Sequence, residues 1–131
     1  MAVKVERVSG KPIIIATFTG HVTVELVKEM FDQSAKLADE MGDHIYRVTD
    51  VSNIEMNFGD LALALATASS DKQPGSSADP RFIGMLVGSH KWSQMFADSI
   101  KQDQYGKMNI PLFEDMGAAM AHIEEQMGKQ A

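Results

Sequence analysis

Histidine, aspartate and serine side chains follow the predicted strands, and these residue types together can carry out nucleophilic catalysis. His21, Asp50, Ser52 and His90 all lie in segments that come after strands, and parallel strands place such segments at one edge of a sheet. A hydrolase of this kind requires His21 or His90 within hydrogen-bond reach of Asp50. The chain has no Gly-x-Ser-x-Gly turn to expose a strained serine. We therefore keep a hydrolase as the third hypothesis and predict that the protein is not an enzyme.

The composition argues against several other kinds of site. The 131 residues include no cysteine, which removes disulfides, thiolate metal centres and thiol catalysis. The four histidines, at positions 21, 44, 90 and 122, lack metal-site spacing, and the phosphate-binding pattern Gly-x-x-x-x-Gly-Lys is absent. Twelve basic against 18 acidic residues give a net charge of −6, which argues against binding to nucleic-acid phosphates. We predict no metal, no cofactor and no nucleic-acid partner.

The apolar segments are short. The longest run, residues 61–66, is far below the roughly 20 residues that a membrane-spanning helix needs. The N-terminal segment MAVKVERVSG has no apolar run followed by a small-residue cleavage site. We predict no membrane span and a cytoplasmic location.

The first half of the chain predicts a hairpin followed by alternating helices and a strand. Residues 3–8 and 13–18 alternate or are β-branched, and the turn between them is tight, so they should pair antiparallel. Apolar residues then recur at helical spacing from a cap at Thr23 to a stop at Gly42. A strand at 44–49, a loop at 50–56 and a helix at 58–69 capped by Asn57 follow.

The second half continues the alternation. Residues 71–80 are turn formers and small polar residues, which predict a mobile loop. A buried strand at 82–87 leads to a helix capped by Ser89, then to an edge strand at 109–113 and a final helix at 115–127. The order β-β-α-β-α-β-α-β-α predicts a single α/β domain over residues 1–131, with a mixed, mostly parallel sheet. The alternation in the third strand predicts a second sheet face that is partly wet.

Methionine is abundant, with ten residues. Six of them fall on the predicted core stripes of helices, where the flexible thioether fills gaps: Met30, Met41, Met95, Met116, Met120 and Met127. Core filling is the simpler interpretation. The alternative is an adaptable apolar groove, between the last helices or on the bare sheet face, with Trp92 as one wall.

Three segments carry a resemblance to a known family. The sequence reads DVSNIEMNFGDL at 50–61, LVGSHKW at 86–92 and IPLFEDMGAAMAHI at 110–123. With the element order, these segments resemble the STAS or SpoIIAA-like domains of the anti-sigma-factor antagonist family, and specifically an uncharacterised bacterial branch. The resemblance implies strands in sequential order with helices mainly on one face of the sheet.

The resemblance breaks at the phosphorylation site. Antagonists that switch by phosphorylation carry an Asp-Ser-Ser-Gly-type stretch at the start of this helix, and the first serine is the acceptor. In this chain Gly59 stands at the acceptor position and Asp60 follows it, while Ser52 comes earlier. Switching by serine phosphorylation is therefore not expected. Asp60 either stabilises the start of its helix or imitates a phosphoserine.

These observations predict a non-enzymatic binding or regulatory domain. It would recognise a protein partner or a small apolar ligand around residues 50–60. The candidate binding residues are Asp50, Ser52, Asn57, Gly59, Asp60, His21, His90 and Trp92. The runner-up is a carrier or sensor of a lipid-like apolar ligand. A homodimer formed through the sheet face or the edge strand beginning at Val3 is compatible with either function.

Overall fold

Two β-branched segments joined by a tight turn start the sheet, and three further strands extend it. In the computed structural model, which describes residues 2–70 and 73–130, the strands lie in the order β1-β2-β3-β4-β5. The first pair is antiparallel and the other pairs are parallel. The strands are β1 (Ala2–Arg7), β2 (Ile13–His21), β3 (Ile45–Glu55), β4 (Phe82–Val87) and β5 (Leu112–Phe113). This confirms the predicted α/β domain with a mixed, mostly parallel sheet and sequential strand order.

Four helices cover the two faces of the sheet unequally. They are α1 (Val24–Met41), α2 (Phe58–Ala68), α3 (Lys91–Ser99) and α4 (Met116–Gln130), and a short 3-10 helix (Asp103–Tyr105) follows α3. Helices α1, α2 and α3 pack on one face, around Phe18 and Leu86. Helix α4 packs on the other face, against Tyr46 and Val48. The predicted arrangement, with helices mainly on one face, is confirmed.

Short polar side chains fix where the helices begin. Thr23 caps α1 by accepting a hydrogen bond from the Leu26 amide at 3.2 Å, and Asn57 caps α2, both as predicted. The prediction that Ser89 caps α3 is wrong, because His90 holds that position and its ring accepts from the Ser93 amide. An unprotonated ring nitrogen can replace the oxygen of the usual capping residues because its lone pair accepts a hydrogen bond from the same backbone amide.

The prediction of a loop over 50–56 is wrong. β3 continues to Glu55, so Asp50 and Ser52 belong to a strand. The neighbouring strand β2 also continues, to His21, which lies beside Glu55 in the sheet. A register shift near Thr17 accommodates the extension. Backbone pairing with β2 thus keeps this polar segment extended. The prediction failed because the side-chain pattern of β3 contains no information about this pairing. β5 is also shorter than predicted and α4 runs farther.

The segment before β4 is docked against the rest of the molecule. The sequence predicts a mobile loop at residues 71–80, of which positions 71 and 72 lie outside the described residues. Within 73–80, the Gln73 side chain donates a hydrogen bond to Asp32 of α1 at 3.0 Å. Gly75 has a φ of +82°, and a Cβ there would lie 2.1 Å from the Phe31 carbonyl oxygen. Ser76 is buried and donates to the Ser70 carbonyl at 2.7 Å. Only glycine permits both this backbone conformation and this close approach.

An ion pair closes the docked segment. The Asp79 carboxylate accepts hydrogen bonds from the Gly75 amide at 2.8 Å and from the Arg81 guanidinium at 2.9 Å. Burial opposes ionisation of Asp79, but the hydrogen bonds from Arg81 and the Gly75 amide outweigh it and lower the pKa of this carboxyl to about 2. Arg81 also reaches Asp39 on α1 at 2.9 Å. The segment is therefore held against α1 by an ion pair as well as by close packing at Gly75.

Replacing Gly75→Ala should destabilise the protein strongly. The added Cβ meets the α1 backbone and the positive φ strains any L side chain, so we expect a loss of about 3 kcal/mol or more. Gly10→Ala is the matched control, because Gly10 has a φ of +74° with no atom near its would-be Cβ; it should cost about 1 kcal/mol. Urea unfolding measures both. Equal losses in the two variants would contradict the close packing at Gly75.

Replacing Asp79→Asn should lower stability at neutral pH and lose that effect in acid. The pKa of Asp79 is lower in the folded protein than its usual value of about 3.9, so the carboxylate stabilises the fold above about pH 4 and ceases to do so as the pH falls through about 2. We expect the free energy of unfolding to fall by about 2 kcal/mol at pH 7. The difference in stability between the variant and the unmodified protein should disappear between about pH 4 and pH 2. Thermal unfolding across this range measures the gap.

Asp39→Asn is the control for that measurement. Asp39 pairs with the same arginine, but its side chain is 74% exposed, compared with 8% for Asp79. Solvent screening should limit its effect to about 0.5 kcal/mol. A loss in Asp39→Asn as large as in Asp79→Asn would contradict the role assigned to burial.

Candidate functional site

The start of α2 brings three of the predicted site residues together. Asn57 Oδ1 accepts from the Asp60 amide at 2.8 Å, and Asp60 Oδ2 accepts from the Asn57 amide at 3.0 Å. This reciprocal pair is a capping box. His21, at the end of β2, lies with its Nε2 3.1 Å from the same Asp60 oxygen. Asp60 therefore stabilises the helix start, as the simpler of its two predicted roles requires, and it links α2 to β2.

The outward surface of α2 is apolar. Phe58 is 68% exposed and Leu63 is 55% exposed, while Ala62 and Ala66 between and beyond them are also exposed. Gly59, in the first turn, is exposed too. Apart from Asp60, the helix carries no charged residue. We call Phe58, Ala62, Leu63 and Ala66 the α2 face; exposed apolar patches of this kind are typical of interaction sites.

The α2 face continues onto α3 through aromatic contacts. The Phe58 ring packs edge-on against Trp92, with ring centroids 5.2 Å apart. The Lys91 ammonium lies 4.9 Å from the Trp92 ring centroid. Trp92 thus supports Phe58 from the side, and it also lines the cavity described below.

His90 is occupied in holding the start of α3. Its Nε2 lies 2.7 Å from the Val51 carbonyl oxygen, which can only accept, so Nε2 carries the proton. The other nitrogen, Nδ1, accepts from the Ser93 amide at 3.4 Å. Nε2 therefore joins the start of α3 to β3 while Nδ1 caps α3 itself, and His90 acts as a structural residue in this arrangement.

The geometry required for the hydrolase hypothesis is not formed among the described residues. Asp50 Oδ1 accepts from the Ser52 amide at 3.0 Å, while His21 contacts Asp60 and His90 contacts Val51. Neither histidine is hydrogen-bonded to Asp50, and Ser52 is an exposed strand residue. The predicted residues therefore separate into an α2 group (His21, Asn57, Asp60) and residues that stabilise β3 and α3.

A cavity of about 80 Å³ lies between the sheet and helices α1, α2 and α3. Its wall is mostly apolar, and the methionine contribution comes from Met30, Met56 and Met85. Only Met30 belongs to the six methionines predicted on helix stripes. Trp92 of α3 forms part of the wall, as the sequence predicts for an apolar groove, whereas no residue of α4 lines the cavity. Its volume is about half that of the ~150 Å³ cavity that accommodates benzene in an engineered protein, so it is too small for a lipid chain.

Arg47 is the functional candidate that the sequence analysis missed. It is the third residue of β3 and is 2% exposed. Its guanidinium lies 4.5 Å from the Phe82 ring centroid and 5.5 Å from that of Phe31, and its Nη1 donates to the Gly75 carbonyl. Burial lowers the pKa of Arg47 to about 10, partly offset by the charge of Asp79. The sequence did contain one sign of this burial, because Arg47 interrupts an otherwise apolar segment at 45–48. Arginine is seldom fully buried unless it is paired with another group.

Two further types of site are absent from the described residues. Within residues 2–70 and 73–130, no three histidine, aspartate or glutamate side chains are placed to share a metal ion. None of the helices in that same part of the chain has both the length and the apolar character needed to cross a membrane.

Comparison with known proteins places the fold. No family model matches the sequence, and no curated protein matches it. A crystal structure of an uncharacterised DUF3478-family protein with a SpoIIAA-like fold from Shewanella loihica PV-4 aligns with a TM-score of 0.58 and 13% identity, over 92% of this chain and 90% of that one. An anti-sigma factor antagonist from Mycobacterium paratuberculosis aligns with a TM-score of 0.57 and 14% identity, over 94% and 93%. The chain therefore has the SpoIIAA-like fold that its sequence segments resemble.

Proposed function

We propose that this protein is a non-enzymatic binding domain that docks a protein partner on the α2 face. The observation that carries the proposal is the exposure of Phe58 and Leu63 on a helix with almost no charge. Leaving large apolar side chains in water is unfavourable, by about 2 kcal/mol for each that a partner could fully bury. A partner that covers Phe58, Leu63 and the alanines between them removes that cost.

The position of the face in the fold supports a protein partner. One protein of similar structure is an anti-sigma factor antagonist, a name that implies action on another protein. In the family that this sequence resembles, the start of the helix after the third strand carries the regulatory serine, and the α2 face begins at that point. The capping box of Asn57 and Asp60 fixes the backbone there, which limits the ordering cost of binding.

Charge favours a basic partner. The protein carries a net charge of −6, and opposite charge speeds association and selects among partners. Near the α2 face, Asp60 is partly buried and Glu55 is exposed at the end of β3. Lys91 is a basic side chain beside Trp92 at the edge of that face. We propose a partner that offers an apolar pocket for Phe58 with basic side chains around it.

Introducing a carboxylate into the α2 face should weaken this binding strongly. Leu63→Glu places a charge where the partner must exclude water, so we expect the affinity to fall by about tenfold or more. Ala121→Glu is the control, because Ala121 is exposed on α4, on the opposite side of the sheet. A photoreactive residue at position 62 identifies the partner in cells of the source organism, and calorimetry with the purified partner then compares the three proteins.

Two results would contradict the proposal. The partner crosslinked at position 62 could bind Leu63→Glu as tightly as the unmodified chain. Alternatively, a second copy of this chain could be the crosslinked species, with Leu63→Glu converting a dimer to a monomer in sedimentation; the α2 face would then serve self-association.

We also propose that serine phosphorylation does not switch the protein. Gly59 occupies the acceptor position in the first turn of α2. Ser52 lies within β3, where backbone pairing with the neighbouring strand hinders its entry into a kinase active site. Incubation with ATP and a serine kinase of SpoIIAA-like antagonists should leave the intact mass unchanged. An antagonist that retains its acceptor serine is the positive control, and phosphate found within residues 52–60 would contradict the proposal.

A further inference from the structure

Strand β1 forms an open edge of the sheet. It pairs with β2 on one side, and no strand in the described part of the chain pairs with its other side. The Val8 amide donates to the Ile13 carbonyl at 2.9 Å, and hydrogen-bonded positions alternate along an antiparallel pair. The backbone groups of Val3, Val5 and Arg7 therefore point away from β2, toward the open edge. Such a row of donors and acceptors is a template for a further strand.

This edge is long and partly apolar. β1 has six residues, whereas β5 at the other edge of the sheet has two. Val3 and Val5 are half-buried and pack against the core on the α1 side of the sheet. Leu37 and Met41 of α1 are also half-buried, and they pack against the same small cluster as Val5. A strand paired with β1 would therefore cover apolar surface as well as satisfy backbone groups.

The charges along β1 are complementary to those of a second, antiparallel copy. Lys4 and Glu6 alternate with the valines, so they lie on the face of the sheet that carries α4, as Val8 does. Their side chains are 75% and 52% exposed and lie 3.7 Å apart. An antiparallel copy of β1 with Val5 opposite Val5 places Lys4 of each copy opposite Glu6 of the other. Val5 points to the open edge, so this register also joins backbone groups that are free to pair.

The neighbouring registers place like charges opposite one another. Because edge-facing residues alternate, the second strand can move only in steps of two residues. One such step brings Lys4 opposite Lys4, and the step in the other direction brings Glu6 opposite Glu6. Like charges directly opposite are destabilising in a sheet. The same two side chains thus favour one register and disfavour those on either side of it, which suits a second copy of this chain as the occupant.

We propose that the protein forms a symmetric homodimer in which the β1 strands of two copies pair antiparallel about Val5. Two Lys4–Glu6 pairs and about six backbone hydrogen bonds join the two five-stranded sheets into one. An edge-to-edge contact is small, so the dissociation constant should lie in the micromolar range, about 1–100 µM.

The dimer leaves the α2 face open. Helix α1 packs against both β1 and α2, and it therefore lies between the joined edge and the α2 face. Each dimer presents two α2 faces, so it can hold two partner molecules or bind a partner with two sites more tightly. Dimerisation does not depend on the partner proposed above, and the two can be tested separately.

Charge reversal in the intact chain tests the register. Lys4→Glu and Glu6→Lys each place like charges across the axis, so each variant alone should raise the dissociation constant by about tenfold or more in sedimentation equilibrium. Because the net charge is −6, Glu6→Lys also reduces the general repulsion between copies, and weaker association in that variant reports the local pair. A mixture of the two variants should form a one-to-one heterodimer, since a strand with two glutamates then faces a strand with two lysines.

Lys129→Glu and Glu125→Lys are the matched controls. These residues form an exposed ion pair on α4, with both side chains 65% exposed, and the variants make the same charge changes away from β1. Both should dimerise as the unmodified chain does.

Four results would overturn the proposal. The unmodified chain could remain a monomer at about 500 µM, above the expected range. A dimer could withstand both Lys4→Glu and Glu6→Lys, or dissociate in only one of them, which would indicate a neighbouring register. The two variants could also dissociate singly and stay monomeric when mixed.

Discussion

Burial of the Arg47 guanidinium is the constraint on which much of this structure depends. A buried charge on the central strand of a sheet is unfavourable unless nearby groups replace the water it loses. Here the rings of Phe31 and Phe82 and the carbonyl of Gly75 do so. The carbonyl is available only because residues 73–80 turn back onto α1, which in turn requires the positive φ of Gly75. The ion pair of Asp79 and Arg81 holds that turn in place, so the buried charge, the turn at Gly75 and the ion pair form one connected set of contacts.

Helix α2 has two surfaces with different consequences. Its inner side combines Leu61 and Leu65, which fill the core, with the alanines at 64 and 68, which leave the cavity open. Its outer side presents the α2 face to solvent. The same short, alanine-rich sequence thus produces a cavity on one side and an exposed apolar surface on the other. Trp92 lies beside both, since it contacts Phe58 and lines the cavity.

The order and type of the main elements could be predicted because they follow from local patterns. The stripe in α1 and the alternation in the first two strands depend on residues a few positions apart, and the caps at Thr23 and Asn57 depend on a single turn. The predictions failed where distant backbone decides. β3 continues through the polar residues Asp50 and Ser52 because β2 continues beside it. His90, and not Ser89, caps α3 because Val51 of β3 holds its ring in place.

The candidate site could be predicted only in part, for a related reason. Sequence spacing found Asn57, Gly59 and Asp60 at the start of α2, since a helix start has local signals. It did not find the partners of those residues, such as His21 for Asp60, because they lie far along the chain. The alternation in the third strand predicts a partly wet sheet face, but Arg47 on that strand is buried. Its burial follows from the packing of α1 and residues 73–80, which a strand pattern does not contain.

The sequence by itself determined the α/β element order, the absence of cysteine chemistry, the acidic charge and the lack of an acceptor serine at position 59. Each of these is a property of composition or of neighbours along the chain. Tertiary structure alone decided that Arg47 is buried beside a cavity, that residues 73–80 are docked and that α2 shows an apolar face. Those features arise where segments distant in sequence meet, because burial is a property of packed surroundings and not of a residue type.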